Sequence, residues 1–282
     1  MKYVTFTTGK DDTQRAGIRR EGTVYDLTDV MAGENSPFAT LLETVTASSR
    51  VEVEALLNDA TDMYDVDCVT LVPPLPADGR LFCLGGAYTS HLEERGRDLF
   101  TVPEQWYVPH SAVVGQNEPI VLPAAADDPV KPAAELGVVI GEGGRYIDET
   151  EALDHVAGFT ISNDVTVRAD WPGPRGYKIM DTLNPIGPDV TPIENVANPL
   201  NLDMTMQLDN TEICSGSTRG HRFTISFMIS YMSTLIELRP GDILSTGDPG
   251  GVEGALEAGE TLETKIESIG TLRNPVKAEE ST

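Results

Sequence analysis

The 282-residue sequence predicts an α+β chain, mainly β, in two domains. Three observations point there. Most apolar stretches are short runs bounded by glycine or proline, as in AVVG, PIVLP, ELGVVIG and VAGFTISNDV. Few segments carry apolar residues at helical spacing, and they do not alternate with the strands as a doubly wound fold requires. The stretch VTLVPPLPADGR, with three prolines and a glycine, breaks the pattern near residues 70–79 and separates residues 1–74 from 78–282.

The elements follow in order. KYVTFTT alternates as a strand, and RRE with TVYDLTD suggests a returning hairpin. ATLLETVTASSRVEVEALLNDA carries Leu and Val at helical spacing. RLFCLGG reads as a buried strand ending in glycines. Ser90 and Glu93 have the form of a capping box, which predicts a helix of two or three turns starting at His91. LDMTMQLDNTEICSG reads as a hairpin turning at Asp-Asn. ISFMISYMSTLIEL reads as a helix stopped by RPGD, and DILSTG and ETLETKIESIG as closing strands.

Composition excludes several function classes. Asp and Glu total 45 against 20 Lys and Arg, a formal net charge of -25, which argues against a nucleic-acid partner. The carboxylates are dispersed and lysine is scarce, a pattern expected of a protein kept soluble at high salt, so a halophilic, haloarchaeal source is the expectation. The three cysteines form no CxxC pair, so neither a zinc site nor a disulfide framework is predicted. No apolar run approaches the roughly 20 residues that span a bilayer. MKYVTFTTGKDDTQ lacks a signal core, so a cytoplasmic location with no membrane partner is expected.

Three constellations could carry chemistry. At the first turn of a helix, the backbone dipole would favour a neutral, proton-accepting His91, and Glu94 three residues on could orient the ring. Glu135 begins the apolar run ELGVVIG and Asp164 ends GFTISND. On neighbouring strands, the two would converge as carboxylates suited to a hard divalent cation. Otherwise Asp164 caps a turn and Glu135 is solvated. Lys178, in RGYKIMDTLNPIGP, is the only lysine between Lys131 and Lys265 and could anchor an anion or serve as a surface charge. The glycine-rich STGDPGGVEG lacks the GK[ST] ending of a phosphate loop, so no nucleotide site is read there.

Together, AELGVVIG, ALDHVAGFTISNDVTVR, KIMDTLNPIGP, LRPGDILSTGDPGGV and SIGTLRNPV resemble the fumarylacetoacetate hydrolase family in content and order, from about Leu81 to Val276. The resemblance implies a mixed β-sandwich roll with a small N-terminal α/β domain, usually a homodimer. It implies Mg²⁺ or Mn²⁺ held by two glutamates and an aspartate, and a small-molecule oxo-acid substrate. A His–Glu pair on a short mobile helix would activate water to cleave a C–C bond. On this chain the pair falls on His91 and Glu94, a metal-ligand glutamate on Glu135, the aspartate on Asp164, and the family lysine on Lys178. Thr182 matches a substrate-contacting threonine, and Arg168 and Asp248 join the expected substrate contacts.

The sequence also departs from that pattern. The first glutamate of the ExE motif is Ala133, and upstream Asp127 or Asp128 is a candidate substitute. The lysine before the Pro-Ser element falls near Val108. The threonine of the TGTP motif, implied to help hold a substrate carboxylate, is Asp248, which would repel one. The resemblance therefore implies a metal-dependent hydrolase of a C–C bond in a 2-oxo acid or 1,3-dicarbonyl, acting on something other than a standard acylpyruvate. The alternatives are an isomerase or tautomerase, a decarboxylase, a 2-keto-3-deoxy sugar-acid dehydratase, or a metal-free, non-catalytic relative.

Overall fold

The computed structural model describes residues 1–9, 13–124, 129–167 and 178–280. The amino-terminal segment opens with an antiparallel meander, β1 (Lys2–Thr7), β2 (Arg15–Arg20) and β3 (Thr23–Asp26). The helical spacing over 39–60 resolves into two helices, α1 (Pro37–Thr46) and α2 (Arg50–Leu56). Ser36 caps the first. Ser49 starts the second through a reciprocal cap with Glu52, so the Ser48-Ser49 pair breaks the periodicity. Two short strands, β4 (Asp62–Asp65) and β5 (Thr70–Val72), complete the segment.

The larger segment begins with β6 (Leu81–Gly85), α3 (Thr89–Glu94), β7 (Glu104–Val108), β8 (Val113–Val114) and β9 (Ile120–Leu122). It continues with β10 (Val130–Lys131), β11 (Ala134–Ile140), β12 (Val156–Asn163), β13 (Thr166–Val167) and β14 (Asn184–Pro192). A hairpin of β15 (Asp203–Leu208) and β16 (Thr211–Ser217) leads to α4 (Ile225–Leu235). The chain closes with β17 (Ile243–Ser245), β18 (Thr261–Ile266) and β19 (Gly270–Ala278).

One sheet runs β4-β3-β2-β1-β14-β12-β11-β17-β6-β7 and a second runs β16-β15-β18-β19-β9. The Tyr3–Val190 pair joins β1 to β14, so the two segments share the first sheet. Every residue of β11 and β12 is buried, which explains their unbroken apolar character. The main core lies between the sheets and under α4, with Leu136, Phe159 and Ile161 of the first sheet, Met206 and Leu262 of the second, and Met228 of the helix. Each such apolar side chain contributes roughly 1.5–3 kcal/mol of burial energy.

Three local features differ from or extend the sequence reading. NPIGPDVTP, whose prolines and glycine carry the local signal of a turn, forms the nine-residue strand β14. Pro188 is accommodated where the pairing with β12 shifts register between Phe159 and Ile161, and Pro185 and Pro192 lie at the ends of the strand. The Asp209-Asn210 turn does form, with both residues at positive φ (46° and 68°), as a tight hairpin requires. The predicted capping box does not form. α3 has six residues, starts at Thr89 with Tyr88 at its cap, and carries no side-chain cap. The Ser90 hydroxyl instead donates to the Pro249 carbonyl (2.8 Å), a tertiary contact that local spacing cannot reveal. His91 is thus the third helical residue. Among the described residues no helix is long and apolar enough to cross a membrane.

Candidate active site

Glu135 lies near the start of β11, hemmed between β12 and β17. Its side chain is buried, and its Oε2 accepts hydrogen bonds from Ser245 Oγ (2.5 Å) and the Gly247 amide (2.8 Å). Gly247 delivers that amide from a left-handed turn (φ 84°), and a Cβ there would sit 2.9 Å from the Leu84 carbonyl, so the position suits only glycine. Burial, and then the charges of Asp164 and Asp248, push the Glu135 carboxyl well above the usual carboxylate range.

Asp164 follows β12 directly, and its amide donates to the Ala133 carbonyl (3.0 Å), which fixes it beside the start of β11. Its Oδ2 forms an ion pair with Lys178, while its Oδ1 is buried without a hydrogen-bond partner among the described residues. Lys178 also donates to Thr166 Oγ1 (3.1 Å) and lies 4.9 Å from the centroid of the Trp106 ring. Burial works against its charge, but Asp164, Glu135 and Asp248 outweigh that and hold the ammonium above its ordinary range. Lys178 therefore stays charged.

His91 faces two carboxylates. Its Nδ1 is 3.4 Å from Asp248 Oδ1 and 3.8 Å from Glu94 Oε2. The loop after β17 braces the group: Glu94 Oε2 accepts from the Gly251 amide (3.0 Å) and Asp248 Oδ1 from the Gly250 amide (2.8 Å). A Cβ on Gly250 would collide with Glu94 and His91, at 2.5 and 2.9 Å. The stretch STGDPGG thus serves as a cradle for α3 and Glu135, a use its sequence does not advertise. Nδ1 makes no hydrogen bond among the described residues, but its two carboxylate neighbours favour a proton on Nδ1, which would leave Nε2 as the accepting nitrogen.

His91, Glu135, Asp164, Lys178 and Asp248 line one cavity of about 80 Å³. It adjoins a cleft of about 270 Å³ that shares His91, Arg95 and Asp248 and is also lined by Glu94. Thr182 lies outside this cavity, its hydroxyl accepting from the Val121 amide (2.8 Å). Arg168, Asp127 and Asp128 fall outside the described residues. Trp106, Arg95 and Ser245 line or support the site without having been singled out: long-range pairing of β6, β7 and β17 brings Trp106 and Ser245 there, while Arg95 follows Glu94 directly at the C-cap of α3. A larger hollow of about 490 Å³ lies at Lys2, Arg19, Asp189 and Lys265. Lys2 and Arg19 there are already spent on Asp189, so it is the weaker candidate.

The donor set suits a divalent cation in a specific way. Among the described residues no three His, Cys, Asp or Glu side chains form a ready metal cluster. Glu135 and Asp164 nevertheless bring two carboxylates into one cavity, and Asp164 Oδ1, on the side away from the Lys178 pair, has no hydrogen-bond donor among the described residues. A hard ion such as Mg²⁺ takes one or two protein carboxylates and completes its shell with water and substrate oxygens. The residues present fit that mode, with Ala133 offering no third ligand.

The fumarylacetoacetate hydrolase C-terminal model matches residues 80–277. The 2,4-didehydro-3-deoxy-L-rhamnonate hydrolase of Sphingomonas sp. SKA58 is 32% identical, over 98% of this chain and 96% of its own. The mitochondrial oxaloacetate tautomerase FAHD2A of Homo sapiens is 32% identical, over 74% of this chain and 69% of its own. The maleylpyruvate hydrolase of Sphingobium sp. SYK-6, solved with manganese(II) and pyruvate, superposes with a TM-score of 0.82 at 25% identity, over 99% of this chain and 100% of its own. With named relatives that are hydrolases and tautomerases, this chain is an enzyme and belongs to the fumarylacetoacetate hydrolase family.

Proposed function

We propose that the enzyme hydrolyses a C–C bond in a 2-oxo acid or 1,3-dicarbonyl substrate, using a divalent cation at Glu135 and Asp164. The observation that carries this reading is a buried, under-neutralised carboxylate pair sharing a cavity with a histidine braced by two further carboxylates. A bound Mg²⁺ or Mn²⁺ would supply Lewis-acid polarisation of the 2-oxo acid. Lys178, kept charged by Asp164, anchors the substrate carboxylate or a developing oxyanion. His91 takes a proton from water at Nε2, and Asp248 and Glu94 hold the ring and balance the resulting imidazolium. Hydroxide adds to the second carbonyl, the C–C bond breaks toward the 2-oxo acid, and the departing carbon recovers the proton from His91. Trp106 and Leu92 wall off part of the cavity, which strengthens these charges.

A second reading, proton shuttling without hydrolysis, draws on the oxaloacetate tautomerase relative. His91→Ala separates the two. A hydrolase loses nearly all turnover, about 10²–10⁴-fold, whereas a metal-driven enolisation retains it. Calorimetric titration of Mn²⁺ with oxalate, in molar salt, tests the reading itself. It predicts one site per chain that Glu135→Ala removes. No heat with either form would overturn the metal-dependent reading.

A further inference from the structure

Asp248 stands where the inner cavity meets the outer cleft, lining both. Its side chain is 14% exposed. Its Oδ1 is occupied, accepting from the Gly250 amide and facing His91. Its Oδ2 makes no hydrogen bond among the described residues and is not buried away from the cavity. An ionised carboxylate can only accept hydrogen bonds, so any substrate group beside it has to donate. The surrounding charge sharpens the choice. Glu135 and Asp164 already place two carboxylates in the cavity, Lys178 is paired with Asp164, and Arg97 is paired with Glu104 (3.0 Å).

We propose that Asp248 is the specificity-determining residue of this site, accepting a hydroxyl from a polyhydroxylated 2-oxo acid and turning away a substrate whose far end is a second carboxylate. The proposal rests on the oxo-acid reading above and names the substrate class within it. With the oxo-acid head at Lys178, the tail leaves the cavity past Asp248 toward the cleft, where Glu94 adds another acceptor-only group. Hydroxyl-bearing carbons satisfy both carboxylates, while a terminal carboxylate leaves them unpaired and repelled. Arg95 is the competing element. It lines cavity and cleft and has no side-chain hydrogen bond or ion pair among the described residues, so a dicarboxylic acid could be drawn to it.

Two seven-carbon 2,4-dioxo acids test the assignment on the full chain with Mn²⁺ in molar salt, one ending in three hydroxyl-bearing carbons and the other, succinylpyruvate, in a carboxylate. Each is measured by kcat/KM and by calorimetric affinity. The unsubstituted enzyme is expected to favour the hydroxylated acid by at least about 10²-fold. Asp248→Asn, which keeps size and the Gly250 contact, and Asp248→Thr should each narrow that preference about tenfold or more, with circular dichroism showing both folded. A preference for succinylpyruvate, or one unmoved in both variants, overturns the assignment while leaving the oxo-acid reading intact. So does a succinylpyruvate activity that only Arg95→Ala abolishes. If neither acid binds or is turned over, the assignment and the oxo-acid reading fall together.

Discussion

Two regions of this molecule bury carboxylates, and they do so differently. At Asp189, on β14, two cations answer one acid: Arg19 pairs with it at 2.5 Å and Lys2 at 3.5 Å. Lys2 further donates to Thr191 Oγ1 and to the Ile269 carbonyl. That cluster ties β1 and β2 to β14. Around the Glu135 cavity, four carboxylates (Glu104, Glu135, Asp164 and Asp248) meet Lys178, Arg95, Arg97 and His91; Arg97 is taken up by Glu104, and among the described residues Asp164 Oδ1 has no hydrogen-bond partner. A balanced buried cluster reads as a fastening. An unbalanced one that borders a cavity reads as a site kept short of positive charge for something that arrives later.

Substitutions can break the contrast. The largest effect should come from Glu135→Gln, which keeps the shape and the Ser245 and Gly247 contacts but removes the charge. Turnover is expected to fall by at least about 10³-fold, with thermal unfolding at pH 8 unchanged or shifted upward, because an unfavourable buried charge is gone. Asp189→Ala should do the reverse. It strands two cations at a cost of roughly 3 kcal/mol, kept to the lower end because both are about a quarter exposed and can rehydrate. A denaturant titration should show that loss while specific activity in the folded state stays the same.

Next in size is a pH effect from His221, which packs edge-on against Tyr88 (centroids 4.3 Å apart) behind the site. Burial holds its pKa down to about 4 from 6.5. Between those values the unfolded chain binds more protons than the folded one, so stability is full above pH 6.5 and falls as pH drops toward 4. About 2 kcal/mol should be lost between pH 7 and pH 5, and His221→Gln should flatten that slope in urea titrations. The smallest effects sharpen the reading of α3. Ser90→Ala, by loosening the Pro249 contact, should lower kcat a few-fold without moving Tm. Glu93→Ala should change neither, because Glu93 caps nothing.

What could be read in advance follows from how local the signal was. Glu135 stood out because a charge opening an apolar run is costly unless something compensates it, and Lys178 because lysine is rare in this chain. The main strands and the Asp209-Asn210 turn depend on local pattern, and they formed. β14 was hidden because Pro185, Pro188 and Pro192 mimic a turn; Pro188 falls where the pairing with β12 shifts register, and Pro185 and Pro192 lie at the two ends of the strand. The true partner of Ser90 lies 159 residues away. The cradle at STGDPGG was equally hidden, since its amides serve Glu135, Asp248 and Glu94 through contacts made by β17 pairing with β11 and β6. Trp106 reached Lys178 only because β7 pairs with β6.

Anomalous diffraction from crystals soaked in Mn²⁺ bears most directly on the idea that the unbalanced carboxylates are the catalytic centre. A single strong peak at coordination distance from both Glu135 and Asp164, absent in Glu135→Gln crystals, is the predicted result. Manganese bound elsewhere with nothing between those two side chains, or the same peak surviving in Glu135→Gln, would contradict it.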